Sequence, residues 1–306
     1  GMRIGHFTRL TCFLENHLIG DPTLRFTPTV DAGFDINQAL TLKTRDIAFW
    51  KKQLASPLAD LQALALRELS DADYKEMVSL LEESYFTSPS FMVRLEALRL
   101  LVLNHPTRSI KVMKAALNDS YELIRRYAAG YVEKNGSPEL LSEWIAGYVQ
   151  RSHEKRFRFK VTGGLDAFPY ADTRAELEKQ ADRLTLFDRS HIDALLKQLP
   201  RNEQGMERDI ETITHPESKA SHVRRDLRIF RNHPVGGKPL EMIINFVKDE
   251  SRPSDLRLVA AEVLGWYKLY HDKASIVSAL QTIQTDDRAL KNEIRKSIAR
   301  LEGKNR

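Results

Sequence analysis

An all-α chain built from about eight two-helix units is the architecture that the sequence predicts, and three observations carry it. First, an apolar residue followed by arginine returns as Val93-Arg94, Ile124-Arg125, Phe157-Arg158, Val223-Arg224, Leu256-Arg257 and Ile294-Arg295, with a weaker opening member at Leu61-Gln62. Second, the steps between successive anchors are 32, 31, 33, 66, 33 and 38 residues. The step of 66 is two of 33, which places a degenerate copy at Ile192-Asp193 within "SHIDALLKQL". A fixed period of this length marks a repeat array, in which each unit covers the apolar face of its neighbour. Third, apolar residues inside each copy recur at helical spacing, and no alternating strand pattern competes.

The elements follow in chain order. Residues 1–44 lack the period and are rich in Pro, Thr, Gly and Asp, so they read as an extended cap or linker ahead of a repeat array over 45–306. A terminal unit needs such cover because its outer apolar face has no neighbour. Each copy then holds an anchor helix and a second helix. In "MVRLEALRLLVL" Val93, Ala97, Leu98 and Leu101 share one face, and in "RSIKVMKAALND" Ile110, Met113, Ala116 and Leu117 do the same. Between them stand "NHPT", "KNGSP", "FPYAD", "NHPVGGKP" and "YHDKA". These segments end helices because Pro blocks continuation and Gly or Asn accepts the left-handed exit. Small residues four past the anchor, Ala97, Ala128 and Ala260, with Ile298 as the exception, allow close helix approach. Near 190–215 the anchor arginine is absent and "PRNEQGMERD" replaces the short turn, so a bend or loosened joint is expected there. The charged "KNEIRKSIARLEGKNR" closes the array as a polar cap.

Composition narrows the function classes. The chain has 306 residues, 42% hydrophobic and 29% charged, which is ample for a packed core. Its net charge of +5, from 47 Lys+Arg against 42 Asp+Glu, leans weakly toward acidic partners. A lone cysteine, Cys12, excludes an internal disulfide framework and any multi-cysteine zinc site. No apolar run is long enough to span a bilayer, and the first twenty residues lack a signal-peptide core. On its own signals the chain is expected in the cytoplasm. Gly1 ahead of Met2 has the look of a cleavage scar, which leaves room for an upstream targeting or membrane segment.

The repeated pattern, apolar-Arg-x-x-Ala-x-x-x-Leu followed by a turn and a second amphipathic helix, resembles the HEAT repeat. It is most similar to the HEAT-like variety found in phycocyanobilin lyases and many bacterial repeat proteins. The resemblance covers about 54–302 and is best in 89–119, 120–148 and 250–282. It implies a right-handed α–α superhelix with the anchor helices on the concave face. It also implies that Arg94, Arg125, Arg158, Arg224, Arg257 and Arg295 form a structural ladder against the inter-helix turns, bonding to carbonyls and to acids such as Asp119 or Glu122. Fold of this kind does not assign activity.

Catalytic signals are weak. There is no G-x-S-x-G, and Cys12 has only His6 and His17 near it in sequence. No two of the nine histidines make a metal-binding helical pair, His105 and His233 precede prolines in turns, and "VGGKP" at 235–239 lacks the phosphate-loop frame. The acids Glu82-Glu83, Asp249-Glu250 and Asp286-Asp287 stand at helix ends, where no burial is expected to tune them. No enzyme activity, cofactor or metal is expected.

Two basic stretches remain: "RSHEKRFRFK" at 151–160 and "SHVRRDLRIFRNH" at 221–233. Lys155, Arg156, Lys160, Arg225 and Arg228, extended by Arg126, Lys296 and Arg300, form a candidate positive stripe on the anchor helices. Phe157 and Phe159 interleave with it, Phe157 at the core anchor position, and Tyr127, Tyr131, Trp144 and Trp266 fall near core spacing. The expected function is a scaffold that holds a protein partner on the concave face. The alternative is a nucleic-acid-binding array, remotely like the alkylpurine DNA glycosylases of similar architecture, and a tetrapyrrole lyase role rests on the repeat's family name alone. A continuous positive stripe favours nucleic acid, and an uneven surface with an exposed apolar patch favours a protein.

Overall fold

The computed structural model describes Asp21, Thr23 and residues 31–303 except 152, 183 and 185; Cys12, His6, His17 and most of the N-terminal segment lie outside the described residues. Among the described residues every regular element is helical: sixteen α-helices and two short 3-10 turns. They divide into two compact units, the first ending at Leu100 and the second beginning at Leu101.

The first unit holds α1 (Ile36–Leu42), α2 (Ile47–Gln53), α3 (Ala59–Asp71), α4 (Met77–Thr87) and most of α5 (Phe91–Asn104). Helix α1 lies inside the segment expected to be extended, and its cause is local. The Asp35 carboxylate accepts from the amides of Asn37 and Gln38 at 2.8 and 3.1 Å, satisfying donors that the first turn leaves open. Trp50 on α2 is fully buried against α3 and donates its indole N–H to the Lys43 carbonyl at 2.6 Å. Glu96 on α5 is clasped by Arg67 from α3 (2.7 and 2.8 Å) and by Arg99 one turn on (2.6 and 3.1 Å). Burial pushes the Glu96 carboxyl up, but the two guanidinium groups outweigh it and hold the carboxyl below its ordinary value.

The second unit continues with α6 (Ile110–Ala116), α7 (Glu122–Asn135), α8 (Leu141–Gln150), α9 (Lys155–Gly163), α10 (Tyr170–Ala181), α11 (Leu186–Thr214), α12 (Ala220–Asn232), α13 (Lys238–Lys248), α14 (Ser254–Leu264), α15 (Lys273–Gln281) and α16 (Arg288–Leu301). The anchors Ile124, Phe157, Ile192, Val223, Leu256 and Ile294 are all buried, as are Leu61 and Val93 in the first unit. Successive anchor helices pack on one another, α7 on α9, α12 on α14 and α14 on α16. Polar bonds keep the same step. Arg125 reaches Glu154, Arg224 reaches Asp255 and Ser254 reaches Asp287, partners 29, 31 and 33 positions later.

The stretch near 190–215 departs from the expected joint. It is one 29-residue helix, α11, with Pro200 in its interior. Pro200 forfeits one backbone donor, but Arg201, Glu203, Gln204, Met206, Glu207 and Arg208 are helix formers, so the helix runs through Asn202, Gly205 and Asp209. Buried Ile192, Leu195, Leu199 and Ile213 keep it packed, and α11 spans from α10 to α12.

Turns remote in sequence meet at Asn135, the fully buried last residue of α7. Its amide Nδ2 donates to the carbonyls of Pro106 and Leu269 at 3.2 and 3.3 Å, and its Oδ1 accepts from the Ser137 amide at 3.3 Å. The backbone carbonyl of Asn135 accepts from the His271 amide at 3.0 Å, and His271 Nδ1 lies 2.9 Å from the same oxygen. Thr107 Oγ1 donates to the His271 carbonyl at 2.6 Å. Beside this junction Gly136 ends α7 in the left-handed region, φ 63°, where a Cβ would come within 3.2 Å of the Tyr270 ring. The left-handed backbone favours glycine there, and any larger residue would also press on the ring. The turn after α12 joins through Val235, whose amide and carbonyl both lie 3.3 Å from the buried Tyr267 hydroxyl, and through His233, 3.3 Å from Glu133 on α7.

Asn135→Ala strands the Leu269 carbonyl and the Ser137 amide inside the junction while Ser109 still serves Pro106, so the expected loss is about 1–3 kcal/mol by chemical denaturation. The hydrogen bond to Glu133 raises the His233 pKa, with burial and Lys134 opposing and Asp166 assisting. Because the folded value lies above the unfolded one, this contact contributes fully below the unfolded value of about 6.5 and fades as pH climbs through the folded value. Stability measured from pH 5.5 to 8.5 is expected to fall over that window in the native chain, with a shallower fall in His233→Ala.

Candidate partner-binding surface

The nine residues of α9, "KRFRFKVTG", separate into two faces by helical spacing. Phe157 and Val161 point inward and are fully buried; Lys155, Arg156, Phe159 and Lys160 point outward and are exposed. The inward face is made possible by α8, where a Cβ at Gly147 would come within 2.7 Å of the Phe157 ring. Behind the helix, Arg158 donates to the Tyr148 hydroxyl at 2.9 Å and covers that ring at 4.7 Å.

On the outward face α9 lies beside α7, which presents Arg126 and, one turn on, Gly130. The Lys160 stem crosses α7 at this glycine, where a Cβ would meet its Cδ and Cε at 3.6 and 3.8 Å. The result is a depression of about 290 Å³ lined by Arg126, Lys155, Arg156, Phe159 and Lys160. Its lining holds four cations, one aromatic ring and no acid. The ring of Phe159 is 74% exposed. Arg126 has one loose partner, Glu122 at 3.9 Å. Glu154 stands at the N-cap of α9, where Arg125 holds it at 2.5 Å, and Lys155 and Arg156 follow it in the first turn.

The other four members of the candidate stripe lie elsewhere. Arg225 on α12 is drawn onto the buried Asp226 carboxylate at 2.6 and 3.2 Å, which raises its pKa. Arg300 on α16 bonds Glu293 at 2.8 Å and Ser297 at 3.2 Å and covers the Trp266 ring at 5.5 Å. Arg228 and Lys296 are exposed on α12 and α16.

The repeated arginines have more than one kind of partner. Arg94 donates to the carbonyls of Ser88 and Pro89 at 3.1 and 3.0 Å, and Arg125 to the Asp119 carbonyl at 2.6 Å, each capping the turn that leads into its own helix. Arg257, buried, donates to the Val247 carbonyl at 2.9 Å. Arg125 also grips Glu154 at 2.5 and 3.1 Å, and Arg224 holds Asp255 at 2.6 Å. Arg295 bonds Asn292 at 2.8 Å within its own helix. Phe159 and Gly130 were not among the candidate site residues. Phe159 is two residues from the buried anchor Phe157, which places it about 200° around the helix on the opposite face.

Among the described residues no three His, Cys, Asp or Glu side chains gather as a metal site, and no helix is long and apolar enough to cross a membrane. The chain matches no known protein-family model, and no curated protein is detectably similar to it.

Two phenylalanines on one helix separate core from surface. Phe157→Ala is expected to cost about 3–5 kcal/mol of stability and Phe159→Ala less than about 0.5 kcal/mol, both read by denaturant unfolding.

Proposed function

We propose that the chain is a HEAT-like helical-repeat scaffold, a right-handed α–α superhelix of about eight units, that binds a protein partner and carries no catalysis of its own. The buried anchors and the polar bonds that recur at steps of 29 to 33 residues support the repeat reading. The observation that carries the binding reading is the depression between α7 and α9, where four cations surround an exposed ring. Large exposed aromatics and arginines are the residues from which protein-binding hot spots are made.

Nucleic acid is the competing partner, since phosphates seek cations and bases stack on rings. A strand needs a track of free cations, however. Of the four candidate cations beyond the depression, Arg225 and Arg300 each hold an acid of this chain and Arg228 and Lys296 remain, which favours a local contact over a track.

The test is a pull-down of the tagged chain with and without nuclease, beside the triple variant Lys155→Glu/Arg156→Glu/Lys160→Glu and a control Arg225→Glu. One defined protein band that survives nuclease, persists in the control and drops at least about tenfold in the triple variant is the expected result. Bound material that disappears with nuclease contradicts the scaffold reading.

A further inference from the structure

Building on the scaffold reading, we infer that the α7–α9 depression receives a short acidic protein segment whose single apolar side chain packs on Phe159 while its flanking carboxylates meet Arg126, Lys155, Arg156 and Lys160. Three observations converge on this occupant.

The first is unbalanced charge. Among the described residues none of Lys155, Arg156 and Lys160 has an acid within 4.0 Å, whereas Arg125, Arg224, Arg225 and Arg300 each do. Four like charges around one depression repel one another. A bound carboxylate relieves that repulsion.

The second is position. Two residues past the anchor the other copies carry Ala63, Leu95, Arg126, Ala194, Arg225, Leu258 and Lys296. Leu95 and Leu258 are half-buried, Ala63 and Ala194 are small, and the other three are cations. Phe159 alone in this set is a large apolar group left in the open, at 74% exposure.

The third is shape. The ring lines a depression whose walls are the aliphatic stems of lysines and arginines, with the Lys160 stem laid over Gly130. Such a cup takes one apolar group and presents charge at its rim. A nucleic-acid strand would need further rings at base spacing. The aromatics on α7, Tyr127 and Tyr131, are half-buried and pack against each other at 6.1 Å with their planes tilted by 50°.

The probes are a short fluorescein-labelled peptide of aspartates and glutamates with one central phenylalanine, the same peptide with alanine there, an oligo-uridylate of equal charge, and vesicles containing phosphatidylserine. Fluorescence anisotropy and vesicle sedimentation with the full chain are expected to show the phenylalanine peptide binding about tenfold tighter than the alanine peptide. Phe159→Ala should erase that difference without altering the unfolding midpoint, and Lys155→Glu/Arg156→Glu should abolish binding of both peptides. Equal affinity for the two peptides, or tighter binding to uridylate or vesicles, overturns the inference.

A photo-crosslinking residue installed at position 159 or at position 296 distinguishes this failure from failure of the scaffold reading. A protein adduct at 159 through an acidic segment supports both. A protein adduct at 296 alone leaves the scaffold and removes this site. An RNA adduct, or no adduct at either position, removes both.

Discussion

The second unit depends on one buried side chain. Asn135 ends α7 and joins the Pro106 and Leu269 carbonyls, so that turns far apart in the chain share one polar junction. A linear stack of repeats gives each unit only its neighbours for company. Here the contact spans 134 positions between Asn135 and Leu269, and Thr107 reaches 164 positions to His271. The turns that follow α5, α7 and α14 are thereby tied to one another. Buried donors and acceptors left without partners would cost more than the bonds contribute when made, so the junction selects one arrangement of the turns over its neighbours.

At the opposite ends of the same helices, charge carries the register. Arg125 reaches Glu154 at the start of α9, and Arg224 reaches Asp255 in the first turn of α14. An acid at a helix N-terminus is favourable in itself, and an arginine from the preceding copy adds to it. Where such an arginine is satisfied, its charge is unavailable to a partner. On the outward face of α9, Lys155, Arg156 and Lys160 meet no acid among the described residues, and these cations and the exposed Phe159 together give that face its binding character.

The helical class and the anchors were legible because burial repeats with the chain period. Every anchor residue from Leu61 to Ile294 is buried. Three things were not. Helix α1 forms because Asp35 caps it, a local effect hidden in a segment dominated by Pro, Thr and Gly. Helix α11 runs through Pro200, because a proline removes a single donor and a well-packed apolar face sustains the helix around it. The junction at Asn135 has no periodic signature at all, since its partners are fixed by how far the array turns back on itself and not by spacing. At the candidate surface the cations of 151–160 were visible as a run of charge. Which of them stay unpaired depends on neighbouring helices, and the opposed directions of Phe157 and Phe159 emerge once the anchor is known to face inward.

Remote turns close on one another within the second unit, and a distance measures that closure directly. Spin labels at Arg108→Cys and Ala274→Cys, in a chain carrying Cys12→Ser, flank the contact between Thr107 and His271 without belonging to it. A single narrow distribution at the short end of the measurable range is expected. A broad distribution at long separation would mean that the turns do not meet in solution and would contradict the central role given to Asn135.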